Sequence, residues 1–528
     1  LIIAYKELRR LEMEIFKEMG SLALSEISLN QFYGIELDDF AHEIAILALW
    51  LTKHQMNVEF FKEFGKSNPT LPLTDAGNIV QGNACRLDWE EVCPKGENDE
   101  AYILGNPPYL GYSRQNKEQK DDMLITFKGS KNYKKLDYIA CWFYNASKYI
   151  SKYVKSKYAF VTTNSITQGE QVSLLWPLLF NLKSEIFFAH KSFKWQNSAK
   201  NNAGVSVVLI GLQNICKGKK FIYNIKSIHE VEKVSPYLIA NNNTIVKSRN
   251  SPLSAFPDLL KGSMPNDGGH LTLIQKQYEH LILKYPGIEK YIKKFIGAHE
   301  FINDSNRYCF WITESNFEEA LSYMEIRKRV GLVKSLRLES KRVATQKLAN
   351  VPYKFGEIRF KETNSIIIPR HSSENREYIP IGFLDSSYVV GDSALSLYDA
   401  NAWNFSILNS KMHQLWIRTI GGKLETRIRY SSSLSYDTFP ISNISNQRKE
   451  ELTQCTLKIL DERLKHSEKT LAQLYDPDKM PEGLKEAHHQ NDLAVERCYR
   501  STPFRSDEER LEYLFKLYEK MIQEEKDK

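Results

Sequence analysis

Gly105-Asn106-Pro107-Pro108-Tyr109 follows directly on the apolar run Ala101-Tyr102-Ile103-Leu104. Two prolines fix φ and remove two N–H donors, so backbone carbonyls beside them stay free to accept from a ligand. Asn106 Oδ1 and the Pro107 carbonyl can both accept from one exocyclic amino group, while Tyr109 stacks on the planar ring that bears it. Such a site suits an amino nitrogen whose lone pair must be freed from ring conjugation before it attacks a methyl donor. The plain alternative is a turn that ends a strand.

Chemistry of this kind needs a rigid platform. Residues 1–235, most clearly the first 215 or so, alternate short β-rich runs with amphipathic stretches. That pattern predicts a doubly wound α/β domain, a parallel sheet covered by helices. The strand candidates are 31–36, 78–81, 101–105, 158–163, 185–190 and 205–212, and 39–51 and 137–153 carry apolar residues at helical spacing. In such sheets ligands sit at the carboxyl ends of the strands. Residues 236–445 read as a second, mixed α+β domain, with β-type segments at 365–369, 378–383 and 388–390, helical ones at 325–348 and 401–417, and a Pro-Asn-Asp-Gly-Gly turn at 265–269. Residues 446–528 read as a helical C-terminal region interrupted near Pro477 and Pro481.

A chain of 528 residues with 42% hydrophobic and 26% charged residues is globular, which excludes wholesale disorder and fibrous repeats. The net charge of +7 permits polyanion binding without demanding it. The longest apolar run, 44–51, is far short of a bilayer span, and no secretion signal opens the sequence, so a cytoplasmic protein with no membrane partner is expected. Seven scattered cysteines without a C-x-x-C pair predict buried thiols and no metal site. The sequence opens on Leu1, inside what reads as a helix in progress.

The Asn-Pro-Pro-Tyr segment resembles motif IV of the amino-group methyltransferases that use S-adenosylmethionine. Asn at its start favours N6 of adenine over N4 of cytosine. The resemblance implies a catalytic set of Asn106, Pro107, Pro108 and Tyr109. It also implies that Glu36, ending the second strand of the family, holds the cofactor's ribose hydroxyls, with Leu37 covering its adenine face. The stretch 79–84 resembles motif III, putting Asn83 and Ala84 at the adenine edge, and 136–140 resembles motif V, whose helix brings Asp137 to the cofactor pocket. The stretch 193–197 resembles motif VIII, from which Phe193 or Trp195 would stack on a base flipped out of the duplex. The family's glycine-rich motif I is not found between Leu1 and Glu36, so the chain reads as cut within that motif.

Beyond residue 240 the segments 262–270, 368–374, 378–383, 429–431 and 474–481 resemble the recognition part of MmeI-like type IIL restriction–modification enzymes. In that group one polypeptide carries a nuclease, a helical connector, the methyltransferase and a target recognition domain, so double-stranded DNA is the implied partner and a nuclease is implied upstream of Leu1. Long polar side chains reach base edges in the major groove. Glu425 and Arg427, two apart and on one face if extended, are expected to read one base pair, with Arg370 and His371 as further candidates. Lys334, Arg337, Lys341 and Arg342, clustered along a helix, are expected to touch phosphates. His270 reads as a turn histidine. Two other readings remain open: a protein-glutamine or RNA methyltransferase, because the motif can orient any planar amino group, and a sequence-specific DNA-binding module without catalysis.

Overall fold

The alternation read in the first part of the sequence is realised element by element. The computed structural model describes residues 1–20, 24–66, 78–96, 99–153, 155–194, 206–424 and 426–527. Two units form. One comprises Leu1–Ile166, Leu174–Phe193 and Val207–Glu232; the other is Lys233–Lys528 with the short pieces Thr167–Ser173 and Lys194–Ser206.

In the first unit the order is α1 (Ile2–Met19), β1 (Tyr33–Glu36), α2 (Asp39–Phe64), β2 (Asn78–Gln81), α3 (Trp89–Val92), β3 (Tyr102–Gly105), α4 (Lys117–Thr126), α5 (Ala140–Ser151), β4 (Lys157–Thr163), α6 (Gly169–Asn181), β5 (Ser184–Lys194), β6 (Ser206–Asn214), β7 (Lys220–Asn224) and β8 (Ser227–Val231). β1 and β2 pair in parallel, Glu36 opposite Gln81. The remaining strands make one sheet in the order β3-β4-β6-β5-β7-β8. β3 and β4 are parallel, but β6 runs antiparallel to β4 and β8 to β7. The expected all-parallel sheet is therefore mixed. For β8 the reason is the connection: Ile225 and Lys226 alone join it to β7, which allows only an antiparallel return.

α2 begins where the Asp38 side chain accepts from Ala41 N and ends at Gly65, whose φ of 68° takes the left-handed conformation. It extends past the expected end at 51 and is apolar on two faces. Leu49, Met56 and Phe60 join Tyr5, Met13, Leu29 and Phe32 in a core with α1, while Phe40, Ile44, Leu47 and Leu51 stay exposed. α4 starts with a capping box in which Asn116 Oδ1 accepts from Gln119 N and Gln119 Oε1 accepts from Asn116 N.

The second unit contains β9 (Leu259–Lys261), β10 (Thr272–Ile274), α7 (Gln275–Lys284), β11 (Ile292–Ile296), α8 (Ala298–Asn303), β12 (Arg307–Phe310), α9 (Phe317–Ala320), α10 (Met324–Leu338), α11 (Val343–Lys347), β13 (Ser365–Pro369), β14 (His371–Ser372), β15 (Gly382–Leu384), β16 (Tyr388–Val390), β17 (Ala394–Tyr398), α12 (Ala402–Leu408), α13 (Lys411–Ile420), β18 (Lys423–Leu424), β19 (Arg427–Arg429), α14 (Asn446–Leu464), α15 (Leu471–Leu474), α16 (Glu482–Glu496) and α17 (Asp507–Lys526). Its sheets run β10-β12-β11-β16, β15-β13-β17-β9 and β14-β19-β18. Of the strand expected at 378–383 only Gly382 and Phe383 pair; Tyr378 and Ile379 are buried in the core instead, and Pro380 has no N–H to give a ladder. The helix expected at 325–348 breaks after Leu338, where Ser340 Oγ accepts from Arg342 N and competes with the helical backbone. The C-terminal helices are present, and Ile459, Leu474, Tyr475 and Leu484 share one core with Ile366, Ile368, Leu395 and Leu397.

No helix among the described residues is long and apolar enough to cross a membrane. All seven cysteines are free; four are buried, but Cys216 is exposed, at the loop that leaves β6, against the expectation of buried thiols throughout.

Candidate active site and nucleic-acid interface

β3 delivers the Asn-Pro-Pro-Tyr loop at its carboxyl end, Gly105 lying opposite Phe160 of β4. Pro107 is buried and anchors the loop, Asn106 and Pro108 are exposed, and Tyr109 is half-buried. The loop's far end is tied down by Leu110, whose carbonyl accepts from Tyr138 N at 2.9 Å. Asp137 sits beneath the same loop and accepts from Tyr112 N–H and the Ser165 hydroxyl; burial pushes its carboxyl up, against the pull of those two hydrogen bonds. Asp137, expected at the cofactor pocket, therefore also ties the end of this loop to Ser165. No side-chain hydrogen bond restrains Asn106 among the described residues, so its amide is free to meet a ligand.

Glu36 closes β1. Its Oε1 accepts from Leu37 N at 2.9 Å and Asp38 N at 3.2 Å, while Oε2 takes no hydrogen bond among the described residues. Leu37 is 69% exposed and offers an apolar surface beside that carboxylate. After β2 the chain turns at Gly82. Asn83 Oδ1 accepts from Cys85 N at 2.8 Å, and Asn83 Nδ2 donates to Asp122 at 3.0 Å. The Ala84 carbonyl accepts from Trp89 Nε1 at 2.8 Å. Asp122 on α4 went unnoticed in the sequence. It also accepts from Arg86 and Tyr138, and so joins the turn at 82–86 to the segment that leads into α5. Phe193, at the end of β5, is half-buried with its ring edge-on to His190 at 4.9 Å. Trp195 lies outside the described residues.

In the second unit Arg370, His371 and Arg427 come together on the ribbon β14-β19-β18. His371 pairs with Arg429, and Leu424 pairs with Arg427. The stretch 423–429 is therefore a hairpin, not the single extended segment expected to carry Glu425 and Arg427 on one face. Glu425 itself lies outside the described residues. Thr426 in the turn donates to Glu374 Oε1 at 2.6 Å. Arg427 and Arg429 are exposed with Ile428 buried between them, the alternation of a strand with one face in solvent. Arg429 was missed, although its spacing from Arg427 is the signal that places both on one face. Burial first, then the charges of Arg370, Arg429 and Arg427, hold His371 below its usual value, so its ring is neutral at pH 7. Arg370 donates to the Asp392 carbonyl at 2.9 Å.

The expected phosphate cluster does not survive as a group. Arg337 is 0% exposed. Its five N–H groups donate to the carbonyls of Asn266, Leu348, Val351, Pro265 and Lys354 at 2.8–3.1 Å. A guanidinium committed in this way binds the turn at 265–269 to the loop after α11 and cannot reach DNA. Lys341 and Arg342 are exposed but lie past the end of α10, and Lys334 is the one member on a solvent-facing helical position. His270 bears out the turn reading: its N–H donates to the Asp267 carbonyl, and its own carbonyl accepts from Arg329.

Three family profiles match in sequence order: the MmeI DNA-methyltransferase domain at residues 1–224, the MmeI target recognition domain at 240–443 and the MmeI C-terminal domain at 444–524. The chain is similar to DNA methyltransferase A of Bacillus subtilis (strain 168), 47% identical over 530 residues, covering 99% of this chain and 60% of that protein. The chain thus spans about 60% of the length of this curated relative. It is also similar to the solved type IIL restriction–modification enzyme MmeI in complex with DNA, at 37% identity and a TM-score of 0.88, covering 99% of this chain and 71% of that one.

Proposed function

The chain belongs to the MmeI family, and from that premise we propose that it transfers a methyl group from S-adenosylmethionine to N6 of adenine in double-stranded DNA. The observation that carries this reading is the exposed Asn106 amide, without a side-chain hydrogen bond among the described residues, on a loop anchored by Pro107 and Leu110 at the carboxyl end of β3. Asn106 Oδ1 and the Pro107 carbonyl accept from the two N6 hydrogens and draw the nitrogen lone pair out of the ring, while Tyr109 stacks on the base. A paired adenine hides this amino group, so the base is flipped from the duplex, with Phe193 or Trp195 available for its second face.

The residues present fit the cofactor. Glu36 keeps Oε2 for ribose hydroxyls, Leu37 supplies apolar cover, and the Asn83 amide suits a purine edge. The bound cofactor supplies an electrophilic methyl group; the protein's own work is to orient, desolvate and stack, so catalysis is mostly positioning. The ribbon carrying Arg370, His371 and Arg427 is the base-reading surface of this proposal, with Lys334, Lys341 and Arg342 on phosphates. An upstream nuclease in the same polypeptide and action in a prokaryotic cytoplasm, where the DNA is, complete the reading.

Transfer of labelled methyl groups to duplex DNA tests it. Asn106→Ala should cut turnover about 10²-fold or more, the scale of losing one transition-state hydrogen-bond partner, while DNA affinity stays within about twofold. Full turnover in that variant, or label appearing in RNA or protein in place of DNA, would refute it.

A further inference from the structure

Asp122 is 2% exposed, and three side chains converge on it. Asn83 Nδ2 donates to Oδ2 at 3.0 Å, Tyr138 Oη donates to Oδ2 at 2.6 Å and Arg86 Nε donates to Oδ1 at 2.6 Å. Burial pushes the carboxyl up, but the hydrogen bonds from Tyr138, Asn83 and Arg86 outweigh it and hold Asp122 below the usual carboxylate range. The group is an anion at neutral pH, and an anion can only accept.

The consequence falls on Asn83. A side-chain amide can turn over by half a revolution, exchanging its donor end for its acceptor end, unless its neighbours permit one orientation alone. A neighbour able both to donate and to accept would permit either. Asp122 permits only Nδ2 toward itself, and Cys85 N, donating to Oδ1 at 2.8 Å, agrees with it. Among the described residues each end of the amide then keeps one unused valence: a single N–H on Nδ2 and a lone pair on Oδ1. Their order in space is fixed from both ends, by the Asp122 carboxylate at Nδ2 and by the Cys85 N–H at Oδ1.

We propose that Asp122 is a positioning residue that fixes the Asn83 amide so that the pocket distinguishes 6-amino from 6-oxo purine nucleosides. The proposal rests on the reading that Asn83 meets the purine edge of the cofactor. A 6-amino purine presents a donor at C6 and an acceptor at N1, whereas a 6-oxo purine presents the reverse. A locked amide matches one of these patterns, and an amide free to turn matches both.

The test is calorimetric titration of S-adenosylhomocysteine and of its inosine counterpart into the full chain. Wild type, Asp122→Asn, Asn83→Ala and the double variant are compared, with duplex-DNA affinity and melting temperature measured on each. Asp122→Asn leaves the Cys85 N–H as the one hold on the amide, so adenosyl binding should weaken about threefold to tenfold and the preference over the inosyl ligand should narrow by a similar factor. In the Asn83→Ala background the same change should move neither affinity by more than about twofold, because the two residues act as a unit. DNA affinity should not change. An equal loss of adenosyl binding in the Asn83→Ala background would overturn the proposal, since Asp122 would then act on structure at large. If Asn83→Ala itself leaves binding untouched, the placement of Asn83 at the purine falls, and the positioning role with it. Arg86→Gln guards against misfolding of the Asp122 variant: it removes the ion pair and keeps the anion, so the adenosyl preference must persist, and its loss would sink the idea.

Discussion

Arg337 and Lys334 stand three residues apart on α10 and are nearly alike in sequence, yet one is fully buried and the other exposed. Replacing Arg337 by Met leaves five backbone carbonyls without donors in a closed interior, a loss of about 3 kcal/mol or more. We expect that from urea unfolding of the variant; a loss below 1 kcal/mol would mean that water replaces the guanidinium. Lys334→Ala should leave stability unchanged and reduce the salt slope of DNA binding by about one unit. A cluster of basic residues in sequence did not reveal this division, because Arg337's partners at 265–266 are some seventy positions away. Asp122 was invisible for the same reason: Asn83 precedes it by 39 positions, and nothing local marks an aspartate inside α4 as a hub. The place of the loop that carries Asn106, by contrast, was legible, because its four residues follow directly on an apolar strand.

Elements set by their own residues were read well. The strand at 78–81 and those at 365–369 and 388–390 appear with the expected bounds, since β-rich runs flanked by turn residues carry their own signal. Elements decided by partners were misread: Tyr378 leaves its strand to donate a hydrogen bond to Asp492 at 2.6 Å. The 423–429 segment folds back on itself because β14 offers a neighbour, His371, that sequence cannot pair with Arg429. On the proposed base-reading role the hairpin has a consequence for binding. Arg427 is carried by a short strand whose buried Ile428 fixes its direction. Arg427→Ala should lower affinity for the cognate DNA site by about 1–3 kcal/mol and leave non-specific affinity nearly unchanged. Competition binding over a library of sites checks this; a uniform loss on all sequences would assign Arg427 to the phosphates.

In the second unit the recognition segment and the C-terminal helices are closed around one core, and its buried polar groups make the unit's stability depend on pH in opposing directions. Burial raises Asp492 to about 7, against hydrogen bonds from Tyr378 and Lys411 N, and raises Asp437 to about 7 with help from Asp258. In the unfolded chain both revert to 3.8. Between about pH 4 and 7 the folded chain therefore keeps protons that the unfolded chain has released, so stability falls as pH rises through that window and levels off above it. His413 works the other way: burial lowers it to about 3 from 6.5, so the unfolded chain takes up a proton that the folded chain refuses, and stability is lost as pH falls below 6.5. Asp492→Asn keeps the shape and can still accept from Lys411 N, while its amide can donate to Tyr378 Oη, but it cannot titrate. Its melting temperature should therefore gain on wild type as pH rises from 4 to 8, with a differential on the order of 4 kcal/mol for the full shift. Scanning calorimetry of both proteins at pH 4, 6 and 8 decides it: a constant difference across the three would show that Asp492 is charged in the folded chain, with Tyr378 and the Lys411 N–H meeting the cost of its burial.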